Sequence, residues 1–402
     1  MNEHLNRAEK LVGFAKLDPK NTDLLRDLAQ CYHLGGNQEL ALEVYDRLIA
    51  LSGETSVLLN AKSAALLAQG RWSEAAELLT RAVEAESNVG SLHFNLGYAQ
   101  LGAGAAREAI TSLRRAAELE AGNPRVHYYL ALAYDESGDS DKAEQTLAHV
   151  TALEPDHHDA MALSVHIQMA RGRIDLAKRT LAQLTEKHPR SAEGYWLKGL
   201  FELLNFDATQ ALVHLQHAQE LAPNDASILI SIGQANLMLQ RAGAATRALS
   251  RAVMLDAKEP MAHVALGWAH LFENHLNDAA PCFEAALRLD PELADAYAGI
   301  ALIYTGKEQT AQAQDALNKA KQIDPANLAV LLTEGALENK KGNPEIGKMI
   351  IQELMQANSV NQLGWTNQQM MDQAKSSPTG QRVADKWARY LRRKQGGAGR
   401  LH

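Results

Sequence analysis

Histidine and cysteine are the side chains of this sequence best suited to hold a metal ion or to act as nucleophiles. The densest histidine cluster is the Asp-His-His-Asp run at residues 156–159, and His214 and His217 share a helical face at i, i+3 spacing. Adjacent side chains in the run diverge, and the His214–His217 pair has no third ligand beside it. We therefore interpret the run as a polar turn and the pair as surface residues, and we expect no metal site.

The two cysteines, Cys31 and Cys282, lie far apart in the sequence, and we expect both to be packing residues with no disulfide between them. The chain has no glycine-rich phosphate loop, no nucleophile elbow and no His-Glu-x-x-His zinc motif. These motifs would mark phosphate binding, acyl transfer or zinc-dependent hydrolysis. Without them, we expect no enzymatic activity, no catalytic residues and no cofactor.

Composition and charge exclude further classes of protein. The chain has 402 residues, of which 46% are apolar and 22% charged, and its formal net charge is −8. An acidic chain of this kind has no general attraction for nucleic acid. No run approaches the ~18–20 apolar residues that cross a bilayer. Charged residues also interrupt the first ten positions, where a signal peptide has an apolar stretch. We expect a cytoplasmic protein that binds no nucleic acid.

The sequence repeats with a period of 34 residues, and the helices that must carry these side chains follow from that period. A small residue recurs at this spacing at Ala41, Ala75, Ala109, Ala143, Ala177, Ala211, Ala245, Ala279, Ala313 and Gly347. A large apolar residue follows each of them by four positions, and with one exception, Val165, a small residue precedes each by twelve. Small residues allow helix backbones to approach closely, and glycine or proline ends many of the helices. The period therefore predicts a repeated pair of antiparallel helices.

These units resemble the tetratricopeptide repeat family, in which small residues occupy repeat positions 8, 20 and 27 and proline occupies position 32. The segments 97–99, Gly-Tyr-Ala, and 285–291, Ala-Ala-Leu-Arg-Leu-Asp-Pro, fit that pattern closely. The resemblance covers residues 22–361 and implies an all-α, right-handed superhelical solenoid of about ten helix-turn-helix repeats. The ten units begin at Thr22, Ser56, Gly90, Pro124, His158, Ala192, Ala226, Pro260, Ala294 and Leu328.

The turn between the two helices departs from the pattern in four units. Phe206, Gln240, Asn274 and Glu308 stand where other units have a glycine. Glycine at such a position adopts the left-handed conformation without strain. We expect these four residues to alter the local packing and to leave the fold intact.

The two ends of the chain read as caps on the repeats. Residues 1–21 are expected to form an N-terminal capping helix, and residues 362–402 a C-terminal capping helix with a flexible basic tail. Residues 375–402 carry a net charge of +7, and the basic residues proposed to act in the tail are Lys386, Arg389, Arg392, Arg393 and Lys394. Two interpretations remain open: a cap whose charges complement the helix dipole, or a segment that binds an anionic membrane, nucleic acid or an acidic partner.

In this family the first helix of each unit lines the concave face of the solenoid, and the resemblance implies that a partner binds there. The residues at these positions are unusually apolar for a solvated helix face, as expected of a partner-binding surface. The candidate groove residues are Phe94, Tyr98, Tyr128, Trp196, Leu200, Ile230, Met238, Val264, Trp268 and Phe272. The alternative for each aromatic side chain is that it packs between adjacent repeats.

The sequence therefore favours a non-enzymatic scaffold or adaptor that binds a protein or peptide, either an amphipathic helix or an extended apolar segment. A clamp for the acidic tail of heat-shock chaperones is disfavoured, because the best-placed triplet is Arg26, Gln30 and Ala61, where that clamp requires Lys, Asn and Asn. Two alternatives stay open. One is a membrane-associated assembly factor for an envelope, pilus or secretion complex, which would use the basic tail. The other is a regulatory accessory subunit of an enzyme.

Overall fold

The computed structural model describes residues 2–325 and 327–343, which form twenty α-helices and contain no β-strand. The helices are α1 Asn2–Leu17, α2 Thr22–Leu34, α3 Gln38–Ser52, α4 Ser56–Ala68, α5 Trp72–Ala85, α6 Gly90–Gly102, α7 Ala106–Leu119, α8 Pro124–Glu136, α9 Ser140–Leu153, α10 His158–Ala170, α11 Ile174–Lys187, α12 Ala192–Leu204, α13 Ala208–Leu221, α14 Ala226–Met238, α15 Ala242–Leu255, α16 Pro260–Phe272, α17 Leu276–Leu289, α18 Ala294–Gly306, α19 Thr310–Ile323 and α20 Leu328–Lys340. The all-α repeat architecture is confirmed.

Each even-numbered helix from α2 to α20 is the first helix of a repeat, and it begins at the residue where the sequence places the start of that 34-residue unit. Local capping explains the starts. The side chains of Asn21, Ser191 and Asp225 accept hydrogen bonds from backbone N–H groups in the first turns of α2, α12 and α14. Pro124 and Pro260 occupy the first positions of α8 and α16, where no N–H is needed.

The described chain divides into two compact units, residues 2–167 (unit 1) and residues 168–343 (unit 2). Within both units the packing follows the small and large positions of the repeat. The nine recurring alanines, from Ala41 to Ala313, are all fully buried. A Cβ added to Gly97 would lie 2.5 Å from Leu113 Cγ, and one added to Gly199 would lie 2.4 Å from Leu215 Cγ. In these two repeats the helices therefore pack too closely at this point to admit a larger side chain.

The turn between the helices keeps one backbone geometry whether or not glycine is present. Gly138 in unit 1 has a φ of 88°, while Phe206, Gln240, Asn274 and Glu308 in unit 2 have φ values between 56° and 61°. The last four are in the left-handed region that side chains other than glycine disfavour. The chain reversal is preserved, as expected. The four non-glycine residues adopt it with a strained backbone conformation.

The N-terminal helix α1 packs on the first repeat. Ala8 and Ala15 are buried in a cluster with Leu25 and Leu28 of α2. The expected C-terminal capping helix and basic tail lie outside the described residues. In the described part, no helix is both long enough and apolar enough to cross a membrane.

Candidate functional site

The ten candidate groove residues fall into three classes of exposure. Five are buried between helices, namely Phe94, Trp196, Leu200, Ile230 and Val264. Three are half-buried, namely Tyr98, Tyr128 and Trp268. Met238 and Phe272 are exposed, at 42% and 65%. The candidate groove therefore consists of an exposed part and a buried part that supports it.

Trp196 illustrates the buried part. Its indole Nε1 donates a hydrogen bond of 2.9 Å to Ser231 Oγ, which joins α12 to α14 in the next repeat. Ser231 is itself buried, and its hydroxyl donates to the Ser227 carbonyl on the same helix. A buried tryptophan whose N–H is satisfied in this way stabilises the contact between repeats. Trp196 therefore stabilises the packing under the candidate groove and is not itself available to a partner.

Unit 1 contains a connected aromatic cluster formed by Trp72, Phe94, Tyr98, Tyr128 and Tyr129. The Tyr98 ring lies edge-on to Trp72 and Tyr129, with centroid separations of 5.6 and 5.2 Å. Tyr129 is also edge-on to Phe94 and to Tyr128, at 5.4 and 5.2 Å. Such edge-to-face pairs hold large rings in fixed positions. Tyr98 and Tyr128 thus present a rigid, half-buried surface built on α6 and α8.

Arg125 gives the aromatic cluster a cationic edge. Its exposed guanidinium lies over the Phe94 ring at 5.0 Å and over the Tyr129 ring at 5.9 Å. Burial raises the pKa of the Tyr129 hydroxyl, and the nearby Arg125 charge opposes that rise in part. A partner that covers this cluster would contact aromatic rings and, beside them, the positive charge of Arg125.

Unit 2 carries a row of exposed apolar side chains that we term the apolar edge: Leu204, Met238 and Phe272. They are the last residues of the first helices α12, α14 and α16, and they are 41%, 42% and 65% exposed. Because α14 packs beside both α12 and α16, equivalent positions at the same helix end form a row. Trp268 lies on the last of these helices, half-buried and edge-on to Phe283 at 5.9 Å.

Phe206 follows Leu204 of the apolar edge by two residues along the chain and was not among the residues proposed from sequence. It is 60% exposed and holds a φ of 60°. A bulky aromatic residue in the left-handed region is strained, and Phe206 combines this strain with an exposed apolar side chain. The signal in the sequence was a phenylalanine at a turn position that glycine occupies in other units.

Of the histidines singled out from sequence, His158 lies with Asp159 and with Glu193 of the next repeat, their ligand atoms all within 4.8 Å of one another, which the sequence did not indicate. His158 Nδ1 lies 2.8 Å from Asp159 Oδ1, and the His157 ring stacks on Tyr128 at 5.5 Å. The His217 ring lies edge-on to Tyr195, 4.1 Å away. Both cysteines are free thiols, and burial raises the pKa of the Cys282 thiol to about 11.

The basic segment, Lys386, Arg389, Arg392, Arg393 and Lys394, lies outside the described residues. Its contact with an anionic membrane stays a prediction. Flotation of the full chain with anionic vesicles, beside the same chain ending at residue 374, tests it.

Comparison with known proteins agrees with the repeat geometry. Two models described as tetratricopeptide repeat match residues 3–54, 61–124 and 264–327, and residues 100–163 and 136–199. A segment of 89 residues is 35% identical to the Cell division cycle protein 27 homolog of Caenorhabditis elegans. That alignment covers 22% of this chain and spans only 11% of the relative.

Two solved structures share the fold at low sequence identity. The APC/C hetero-tetramer Cut9–Hcn1 is 17% identical with a TM-score of 0.52, over 78% of this chain and 58% of that chain. The human IFIT1 dimer with PPP-AAAA is 15% identical with a TM-score of 0.54, over 89% and 94%. Identities this low establish the fold alone. The family matches together extend over more than half of the residues, and this chain belongs to the tetratricopeptide repeat family.

Proposed function

We propose that the protein is a non-enzymatic scaffold that binds an apolar or amphipathic protein segment along the first helices of its repeats. The repeat family supports a role in protein interaction. One observation carries the finer proposal: Phe206, two residues after Leu204 of the apolar edge, exposes its side chain from a strained backbone position. Folding alone gives no reason for an exposed phenylalanine at a turn that favours glycine.

The apolar edge is large enough to contribute measurably to binding. Fully burying one leucine, methionine or phenylalanine side chain contributes ~1.5–3 kcal/mol. Covering the exposed fractions of Leu204, Met238 and Phe272 therefore contributes on the order of 3 kcal/mol, which is about a hundredfold in Kd. Half-buried Trp268 adds an aromatic side chain of the type that dominates binding energy at interfaces.

The spacing of the apolar edge favours an amphipathic helix as the ligand. Packed helices have axes ~8–10 Å apart, so the side chains of the edge recur at about that distance. Residues seven apart on an α-helix lie on one face and are separated by ~10.5 Å along its axis. We therefore propose a ligand helix with large apolar residues at i, i+7 and i+14.

Selection of helical peptides on the full chain, followed by affinity measurement, tests this proposal. Phe272→Ser and Met238→Ser should each weaken the selected peptide by about tenfold, because each removes apolar area that the ligand covers. Leu255→Ser is the matched control. Leu255 is 43% exposed and also ends a helix of unit 2, but that helix is the second of its repeat.

The control should bind as tightly as the unmodified chain. Equal affinity for all three variants would reject the apolar edge as the binding site. Peptides that are acidic and lack apolar residues would reject the proposed ligand chemistry.

A further inference from the structure

Three potential metal ligands converge at the turn of the eighth repeat. His270 Nδ1 and His275 Nδ1 each lie 3.8 Å from Glu273 Oε2, and the three ligand atoms are all within 4.8 Å of one another. Two imidazoles and one carboxylate form a set of borderline nitrogen and oxygen donors that suits zinc and its neighbours in the first transition row.

The backbone brings these side chains together. Glu273 caps α16, Asn274 takes a φ of 61°, and the His275 N–H donates to the His270 carbonyl at 2.8 Å. This bond and the one from Asn274 N to Leu271 O, at 2.9 Å, make a Schellman turn. The turn reverses the chain and returns His275 to the helix end that carries His270.

Other turns in unit 2 share this backbone and lack the ligands. The bond equivalent to His275–His270 joins Asp207 to Glu202, Arg241 to Asn236 and Gln309 to Tyr304, at 2.8–2.9 Å. None of these pairs contains a histidine. The backbone geometry is therefore common to these turns. Only the residue types at the turn of the eighth repeat, among the turns compared, supply metal ligands.

A neighbouring helix orients the carboxylate. Thr246 Oγ1, on α15, donates a hydrogen bond of 2.8 Å to Glu273 Oε2, the oxygen that both histidines face. Hydrogen bonds to a ligating carboxylate fix its direction and are typical of the outer shell of metal sites. The glutamate side chain is only 24% exposed, so it is held against the protein.

The histidines face this oxygen without bonding to it. A separation of 3.8 Å exceeds a hydrogen bond, and His270 Nδ1 is buried with no hydrogen-bond partner. Zinc bonds of ~2.0–2.1 Å in a tetrahedron place ligand atoms roughly 3.4 Å apart, a few tenths of an ångström closer than the two His–Glu separations of 3.8 Å. The ligand nitrogens of the two histidines lie within 4.8 Å of each other, so binding requires the exposed His275 side chain to move inward. An ion drawn between the three atoms would satisfy the buried nitrogen.

We propose that His270, Glu273 and His275 bind one divalent transition-metal ion of the zinc class. Three protein ligands leave one coordination position open. The His275 side chain is 57% exposed, so an ion has a path to the set from solvent. The site adjoins Phe272 of the apolar edge along the chain. A bound ion would link the end of α16 to α17 and α15.

The test is calorimetric titration of Zn²⁺ into the full chain, purified without a histidine tag and stripped with a chelator. His275→Ala should lose one equivalent of bound zinc or weaken that equivalent at least tenfold, since it removes a ligand. Thr246→Val should weaken the same equivalent by ~10–100-fold, because the carboxylate loses its orienting bond. His263→Ala, on the same helix and outside the set, should match the unmodified chain.

His275 is exposed at a turn, so its variant should keep the fold, and circular dichroism of each variant checks this. Zinc should also raise the melting temperature of the unmodified chain and of His263→Ala, and leave that of His275→Ala unchanged. Zinc bound equally by His275→Ala and His263→Ala would overturn the proposal. Absence of zinc binding by the unmodified chain would overturn it as well.

Discussion

Phe206 holds a backbone conformation that lowers the stability of its turn. It stands at a turn position where Gly36, Gly70 and Gly138 in unit 1 adopt the same left-handed backbone. A non-glycine residue there costs roughly 1–2 kcal/mol, and burial does not compensate a side chain that is 60% exposed. The phenylalanine therefore weakens the turn that it occupies.

Replacing Phe206 with glycine should increase the free energy of unfolding. Relief of the left-handed strain outweighs the extra freedom that glycine gives the unfolded chain, and we expect a net gain of about 0.5–1 kcal/mol. Urea unfolding of the two proteins measures it. Gly138→Ala, the reverse change at an equivalent turn, should lose stability. A loss in the Phe206 variant as well would show that its ring stabilises the fold.

Exposure at the residue scale was only partly predictable. Repeat position identifies which side chains face the first-helix surface, but Trp196 is buried because Ser231, 35 residues later, accepts its indole hydrogen bond. Phe272 stays exposed because it ends its helix. Contacts with the next repeat decide burial, and a pattern within one repeat does not contain them.

The helix pair could be predicted almost completely from sequence. The small residue twelve positions before a recurring alanine contacts the large residue four positions after it, as Gly199 contacts Leu215 around Ala211. Most first helices begin at a side-chain cap or a proline, whereas α6 and α18 begin after Val89 and Leu293, which make no side-chain cap. The His270–Glu273–His275 set was missed, because it depends on the turn that folds His275 back.

Ala143→Leu tests the close contact within a helix pair. Ala143 is fully buried on α9, and the added side chain should overpack the pair and cost ~1–3 kcal/mol. Ala148→Leu on the same helix is the control, because Ala148 is exposed. Chemical unfolding should show the loss in the first variant alone. Equal stability of the two variants would mean that the helix register is wrong.

At the scale of the whole molecule, the repeat period predicts an all-α chain, while the division into residues 2–167 and 168–343 was not expected from sequence. The period runs through that point without interruption, so nothing in the pattern marks it. The candidate surfaces follow the division: an aromatic cluster with a cationic edge in unit 1 and an exposed apolar row in unit 2.

The most direct test of the proposed apolar edge is hydroxyl-radical footprinting of the full chain with and without a selected helical peptide that lacks methionine. Met238 lies on the edge at 42% exposure, while Met254, on a second helix, is 85% exposed and serves as the internal control. We expect saturating peptide to slow oxidation of Met238 severalfold and to leave Met254 unchanged. Unchanged oxidation of Met238 under saturating peptide would contradict binding along the first helices of unit 2.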